Sequence, residues 1–122
     1  MPRTRVASEL PPTANRVLRL LQADERARLV ALGRRRTIQP GEVLQESGQA
    51  IERIYFPLSG VISLLTVLNT GQSTEVASIG REGLAGLPVF LGAKIASTQT
   101  LVQVSGEAIE LDAETFRREM AN

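Results

Sequence analysis

The 122-residue chain contains no cysteine and no histidine, and it has no tryptophan, one tyrosine and three phenylalanines. Each absence excludes something. Without cysteine there is no disulfide framework, and a reducing, cytoplasmic setting is the expectation. Histidine is the commonest metal ligand and general base, so its absence together with that of cysteine excludes zinc sites and Ser-His or Cys-His nucleophiles. Only carboxylate, lysine or tyrosine chemistry is left, and no tight Asp/Glu cluster stands on an apolar background. The sequence is therefore not expected to encode an enzyme. Aromatic content of 3% leaves no platform for stacking bases. No run is long and apolar enough to cross a membrane, and Met1–Leu10 has arginines but no apolar stretch behind them.

What is present suits one domain with a real core: 43% of the residues are hydrophobic. Net charge is +1, unevenly spread. The first forty residues hold nine arginines, from Arg3 to Arg36, against Glu9, Asp24 and Glu25. Thirteen of the fourteen cationic residues are arginine, with Lys94 the single lysine, a bias that reads as residue usage more than a patch for nucleic acid.

Residues 1–12 lack periodicity and read as a flexible N-terminal arm, with the folded domain spanning 13–122. Thr13 is placed to cap a helix over Ala14–Leu21 that buries Val17, Leu20 and Leu21. A second helix is predicted from about Asp24 to Leu32, with Leu29, Val30 and Leu32 buried and Gly33 as its stop. Arg34–Arg36 then fall past its C-terminal end, where the helix dipole favours cations. From Thr37 the period shortens. Strands are predicted at Val43–Gln45, Ile51–Leu58, Val61–Leu68, Gln72–Ile79, Ser97–Val104 and Glu107–Leu111, with a hairpin signal at Asn69–Gly71. Pro57 places the end of its strand at an edge or bend. Asp112 caps a last helix carrying Phe116 and Met120 on one face. Many short strands flanked by helices indicate a small sandwich or barrel.

The stretch Ser78–Gly92, SIGREGLAGLPVFLG, breaks this rhythm with four glycines, Gly80, Gly83, Gly86 and Gly92. Glycines this dense admit positive φ and close backbone approach. Arg81 and Glu82 lie between the first two, and the apolar run that follows is read as feeding a short helix whose N-terminus would favour an anion.

Taken together, PGEVL, YFPLSGVISLL, NTG, EVASIGREGLAGLPVFLGA, STQTLVQVSGEAIEL and FRREM resemble the effector domain of Crp/Fnr-type bacterial transcription regulators, over nearly the whole chain from about Asn15. The resemblance implies a mainly β fold: a double-stranded β-helix jelly roll of the cyclic nucleotide-binding type, with short N-terminal helices and the start of a C-terminal helix. It implies a regulatory, effector-sensing domain linked to transcription, with a cyclic nucleotide or another small anionic effector as ligand. In that family a Gly-Glu turn, helix-start N–H groups and an Arg-Ser pair hold the ribose and the cyclic phosphate. Carried onto this chain, the candidate ligand-binding residues are Gly80, Arg81, Glu82, Gly83, Leu84, Lys94, Ala96 and Ser97. Ser97 is kept, but Ala96 stands where the family has the phosphate arginine. Lys94 and Arg81 are the nearby replacements, without the bidentate fork of an arginine at that position. Cyclic AMP is therefore not expected to bind in the usual way.

The family continues into a dimerisation helix and a helix-turn-helix, whereas these 122 residues stop one or two turns into that helix. The expectation is no direct sequence-specific DNA contact by this chain, no membrane, and a homodimer or a partner protein engaged through the last helix. The alternative reading is a stand-alone interaction or dimerisation module with a degenerate pocket plugged by Leu84, Leu87, Val89 and Phe90 and an apolar face at Phe116 and Met120. A jelly-roll metalloenzyme of the cupin type is excluded by the missing histidines.

Overall fold

A computed structural model describes residues 10–86, 88–89 and 92–121. The expected arm up to Glu9, and Leu87 and Phe90 of the expected plug, lie outside the described residues. The described chain opens with a 3-10 turn at Pro12–Ala14, then α1 (Arg16–Leu20) and α2 (Ala23–Leu32). Seven strands follow: β1 (Arg34–Ile38), β2 (Val43–Gln45), β3 (Arg53–Pro57), β4 (Val61–Val67), β5 (Ser73–Ile79), β6 (Gln99–Val104) and β7 (Gly106–Asp112); α3 (Ala113–Met120) comes last. The strands form two antiparallel sheets, ordered β1-β7-β3 and β2-β6-β4-β5. This is the jelly-roll arrangement expected from the sequence, and Pro57 closes an edge strand, where its missing N–H costs no ladder bond.

Two apolar clusters hold the sheets. One lies between the helices and the outer face of the three-stranded sheet, where Leu18, Leu29, Ile54, Phe56, Ile109 and Phe116 meet. The other lies inside the barrel and joins Ile38, Tyr55, Ile62, Ala85, Val102 and Ala108. Strand period explains the division: Ile54 and Phe56 point out to the helices, and Tyr55 between them points in. Phe56 and Phe116 meet edge to face with ring centroids 6.0 Å apart.

Three expectations change in the fold. Helix α1 is capped by Asn15 and not by Thr13, and it buries Leu18 while Leu20 is 74% exposed. Leu20 lies two residues from Leu18, on a different side of so short a helix. In α2, Leu29 is buried but Leu32 is exposed. Lastly, Arg34–Arg36 form β1 and do not decorate a helix end. Gly33 ends α2, its N–H donating to the Leu29 carbonyl, and a Cβ there would stand 2.7 Å from the Glu110 carbonyl oxygen. The chain can therefore turn directly onto β7. Strand alternation then sends Arg34 and Arg36 to Glu110 (2.7 and 3.2 Å) and Arg35 to Glu107 (3.3 Å), while Arg36 also pairs with Glu42. These carboxylates are more than seventy residues away along the chain in the case of Glu107 and Glu110, beyond the reach of any local reading. Phe116 is likewise buried against the chain's own core, with Met120 packed beside it, so the aromatic expected to serve dimerisation is already covered.

Burial pushes the Glu110 carboxyl up, but hydrogen bonds from Arg34, Arg36 and Tyr55 outweigh it, and the group titrates below the ordinary 4.5. The unfolded chain therefore takes up this proton first. The stabilisation is complete above about pH 4.5 and is lost as pH falls through the lower folded value. Urea melts from pH 7 down to pH 3 are expected to show a shallower acid loss in Glu110→Gln than in the parent chain. Identical acid limbs in the two proteins would remove Glu110 from the account.

Candidate functional site

The turn after β5 is closed by its own residues. Gly83 N–H donates to the Gly80 carbonyl at 3.1 Å, and the Glu82 carboxylate accepts from Gly80 N–H at 3.0 Å. That bond holds the exposed Glu82 carboxyl below its ordinary range. After the turn Ala85 bridges to Tyr55 through two backbone hydrogen bonds of 2.8 and 3.0 Å, which lays the segment beside β3. Gly86 then takes φ +106°, and a Cβ there would sit 2.5 Å from Ile54 Cγ2. No other residue type fits that bend. Of the four glycines, Gly86 and Gly92 have positive φ; Gly80 and Gly83 do not. Of the short helix expected after the turn, the described residues show a 3-10 turn at 88–89, with Val89 N–H donating to the Gly86 carbonyl at 3.0 Å, and no α-helix before α3.

Asn15 ties this turn to the N-terminal helices. Its side chain is fully buried. Oδ1 accepts from Leu18 N–H at 3.0 Å and caps α1, while Nδ2 donates to the carbonyls of Pro57 and Gly83, each at 2.8 Å. The next N–H, of Arg16, donates to the Arg81 carbonyl at 2.7 Å. One amide thus satisfies a helix start, a strand end and the Gly-rich turn together.

Between the turn and the strands lies a cavity of about 500 Å³. The turn contributes Glu82, Gly83, Leu84, Ala85 and Gly86; the opposite wall comes from Ala96, Ser97, Thr98 and Thr100; Leu64, Ala77 and Ile79 of β4 and β5 line it from the four-stranded sheet. Five of the eight sequence candidates therefore meet around one cavity: Glu82, Gly83, Leu84, Ala96 and Ser97. Gly80 closes the turn just outside it, and Arg81 and Lys94 are exposed and not among its lining residues. Ala96 is 8% exposed, and its backbone N–H and carbonyl bond Gln49 and Gly48 at 2.9 and 2.8 Å. Of the expected plug, Leu84 borders the cavity and Val89 packs into the helix-side core.

Sequence reasoning missed Tyr55, Asn15 and the β4–β5 wall as site residues. Asn before a short apolar helix is a readable cap, and the period-2 alternation of Ala77 and Ile79 marks an inward face. Nothing local marks Tyr55. Its hydroxyl bonds Glu110; burial, followed by that carboxylate, pushes its pKa up to about 12.

The open cavity, bounded by a Gly-rich turn on one side and an Ala-Ser segment on the other, lies within a jelly roll. Residues 35–122 match the cyclic nucleotide-binding domain family, and the chain belongs to it. No curated protein matches the sequence. Similar solved structures include the regulatory subunit of a cAMP-independent protein kinase A from Trypanosoma brucei, in a mutant bound to cAMP (18% identity, TM-score 0.78, covering 89% of this chain and 40% of that one). They also include the N-terminal domain of a transcriptional regulator from Streptomyces coelicolor A3(2) (17% identity, TM-score 0.71, 91% and 74% covered). A third is the c-di-GMP responsive global regulator of Xanthomonas campestris (16% identity, TM-score 0.69, 83% and 49% covered). The chain thus spans less than half the length of the first and third of these proteins.

Two outcomes are expected. Asn15→Ala removes a cap and leaves two carbonyls without their donor, so it should destabilise the chain by about 3 kcal/mol in denaturant melts. A loss under about 0.5 kcal/mol, the size of an ordinary surface change, would show that water replaces the amide. Because Tyr55 is the single tyrosine and there is no tryptophan, tyrosinate absorbance reports it alone. It should ionise near pH 12 in the folded chain, and a midpoint near the ordinary 10 would contradict its burial beside Glu110.

Proposed function

We propose that the chain is the effector-sensing domain of a regulator, linked to transcription control, and that it does not hold cyclic AMP in the usual way. The observation that carries the reading is the open cavity walled by Glu82–Gly86 and Ala96–Thr100. Regulators stand among its structural relatives, including one that answers c-di-GMP and one that is a transcriptional regulator. A regulatory domain needs a ligand site and a route outward from it. Here the route is Asn15 and Arg16, which join the carbonyls of Gly83 and Arg81 to α1. A ligand that shifts the turn must then move these bonds or break them, and the helices that pack on the core would feel the change.

The expected departure from cyclic nucleotide binding rests on Ala96. A cyclic phosphate needs a cation or several N–H donors to replace its water. The Ala96 methyl group offers neither, Lys94 and Arg81 are exposed and outside the cavity lining, and Arg53, the one cation in the lining, is half exposed. A second reading, an interaction module, is favoured by the exposed apolar side chains Val67, Leu68 and Val76 on the β4–β5 hairpin.

Isothermal titration with cyclic AMP and then cyclic GMP tests the first reading. No binding tighter than about 1 mM is expected. Micromolar binding would overturn the departure and assign the phosphate to a cation outside the Ala96 position.

A further inference from the structure

We propose that the cavity takes an uncharged, largely apolar molecule, such as a medium-chain alcohol or a compact neutral ring system. This rests on reading the cavity as an effector site. The volume, about 500 Å³, is that of a small organic ligand. Its lining is hydrocarbon for the most part: Ile51, Leu64, Ile79 and Leu84 supply branched side chains, and Ala77 and Ala96 supply methyls. The charged residues among the lining are one of each sign, Arg53 and Glu82. Glu82 disfavours an anion inside, and Arg53 offers one only a solvent-screened charge. The Arg53 side chain is half exposed, its guanidinium 3.9 Å from Glu52, and its cross-strand partner on β7 is Asp112. Glu82 stands at the turn with its carboxylate on Gly80 N–H, and its negative charge opposes a phosphate.

The polar groups that remain suit a neutral ligand. Gln45 directs its amide N–H groups to the carbonyls of Glu46 and Ala50, at 3.0 and 3.1 Å. The hydroxyls of Ser97, Thr98 and Thr100 stand on one wall and can give and take a hydrogen bond at a single polar end. Tyr55 lends its ring while its hydroxyl bonds Glu110. A phosphate entering this space would lose its hydration without gaining a buried cation, whereas every methylene entering it leaves water.

The test uses N-phenyl-1-naphthylamine, a neutral fluorophore that brightens out of water, with the whole chain. Saturable binding is expected. Decanol should displace it, octanol more weakly by about fourfold for each methylene lost, and decanoate no better than decanol. Ala77→Trp and, from the opposite wall, Ser97→Trp should each weaken probe binding by at least about tenfold, with circular dichroism confirming that the variants fold. Both residues are exposed, so at least one is expected to keep the fold. If decanoate or cyclic AMP displaces the probe better than decanol, the neutral class is wrong and the effector site stands. If neither the probe, the alcohols nor the nucleotides bind, or if both folded variants bind the probe as the parent does, the proposal fails. Absence of all binding would also end the effector reading.

Discussion

Strand β7 has to be satisfied on both faces and along both edges, and the rest of the molecule is arranged to do that. Its outward residues Ile109 and Leu111 require the helices as cover. Its inward residues are Ala108, which packs in the barrel, and Glu110, which is charged and 6% exposed. A carboxylate at that depth has to be paired. Arg34 and Arg36 come from one neighbouring strand and Tyr55 from the other, so the pairing of Glu110 also sets the register of β1 and β3 against β7. Tyr55 is thereby held with its hydroxyl on Glu110 and its ring in the cavity wall. The ionic centre and the candidate site share that side chain.

The second constraint is the fully buried Asn15. A buried amide that bonds three backbone groups from separate elements cannot shift without leaving one unsatisfied. Its bond to Gly83 makes the start of α1 part of the structure that shapes the cavity. Gly86 fixes the other end of the same segment, since its bend lies directly over Ile54. The Gly-rich turn is therefore held at both ends, with Glu82 and Leu84 on the cavity side between them.

Much of the architecture was legible in residue order. Six strands and three helices fall within a few residues of their expected places, because alternation, turn glycines and caps such as Asp112 act within about four residues. The cap of α1 was misjudged because Thr13 and Asn15 are both acceptable caps; only burial of Asn15 beside Pro57 and Gly83 decides between them. The arginines 34–36 were misplaced for a related reason. A basic run after a helix suits the dipole, and the competing partners Glu107 and Glu110 belong to a strand near the other end of the chain. Part of the candidate site was likewise legible as a turn, Glu82–Leu84, and a segment, Ala96–Ser97; the β4–β5 wall was not, because a strand's inward face has no function until something closes over it.

The sequence by itself determined which side chains these 122 residues have to work with and where their strands, turns and glycine-rich segment lie. Those follow from side-chain inventory and local backbone preference. Tertiary structure alone decided that Arg81 and Lys94 stay outside the cavity, that Phe116 is covered by its own core, and that the space beside Glu82 is walled with hydrocarbon. Those properties depend on residues as far apart in the chain as Val17 and Thr100 lining one space, and they come into being only when two sheets and a turn close on one another.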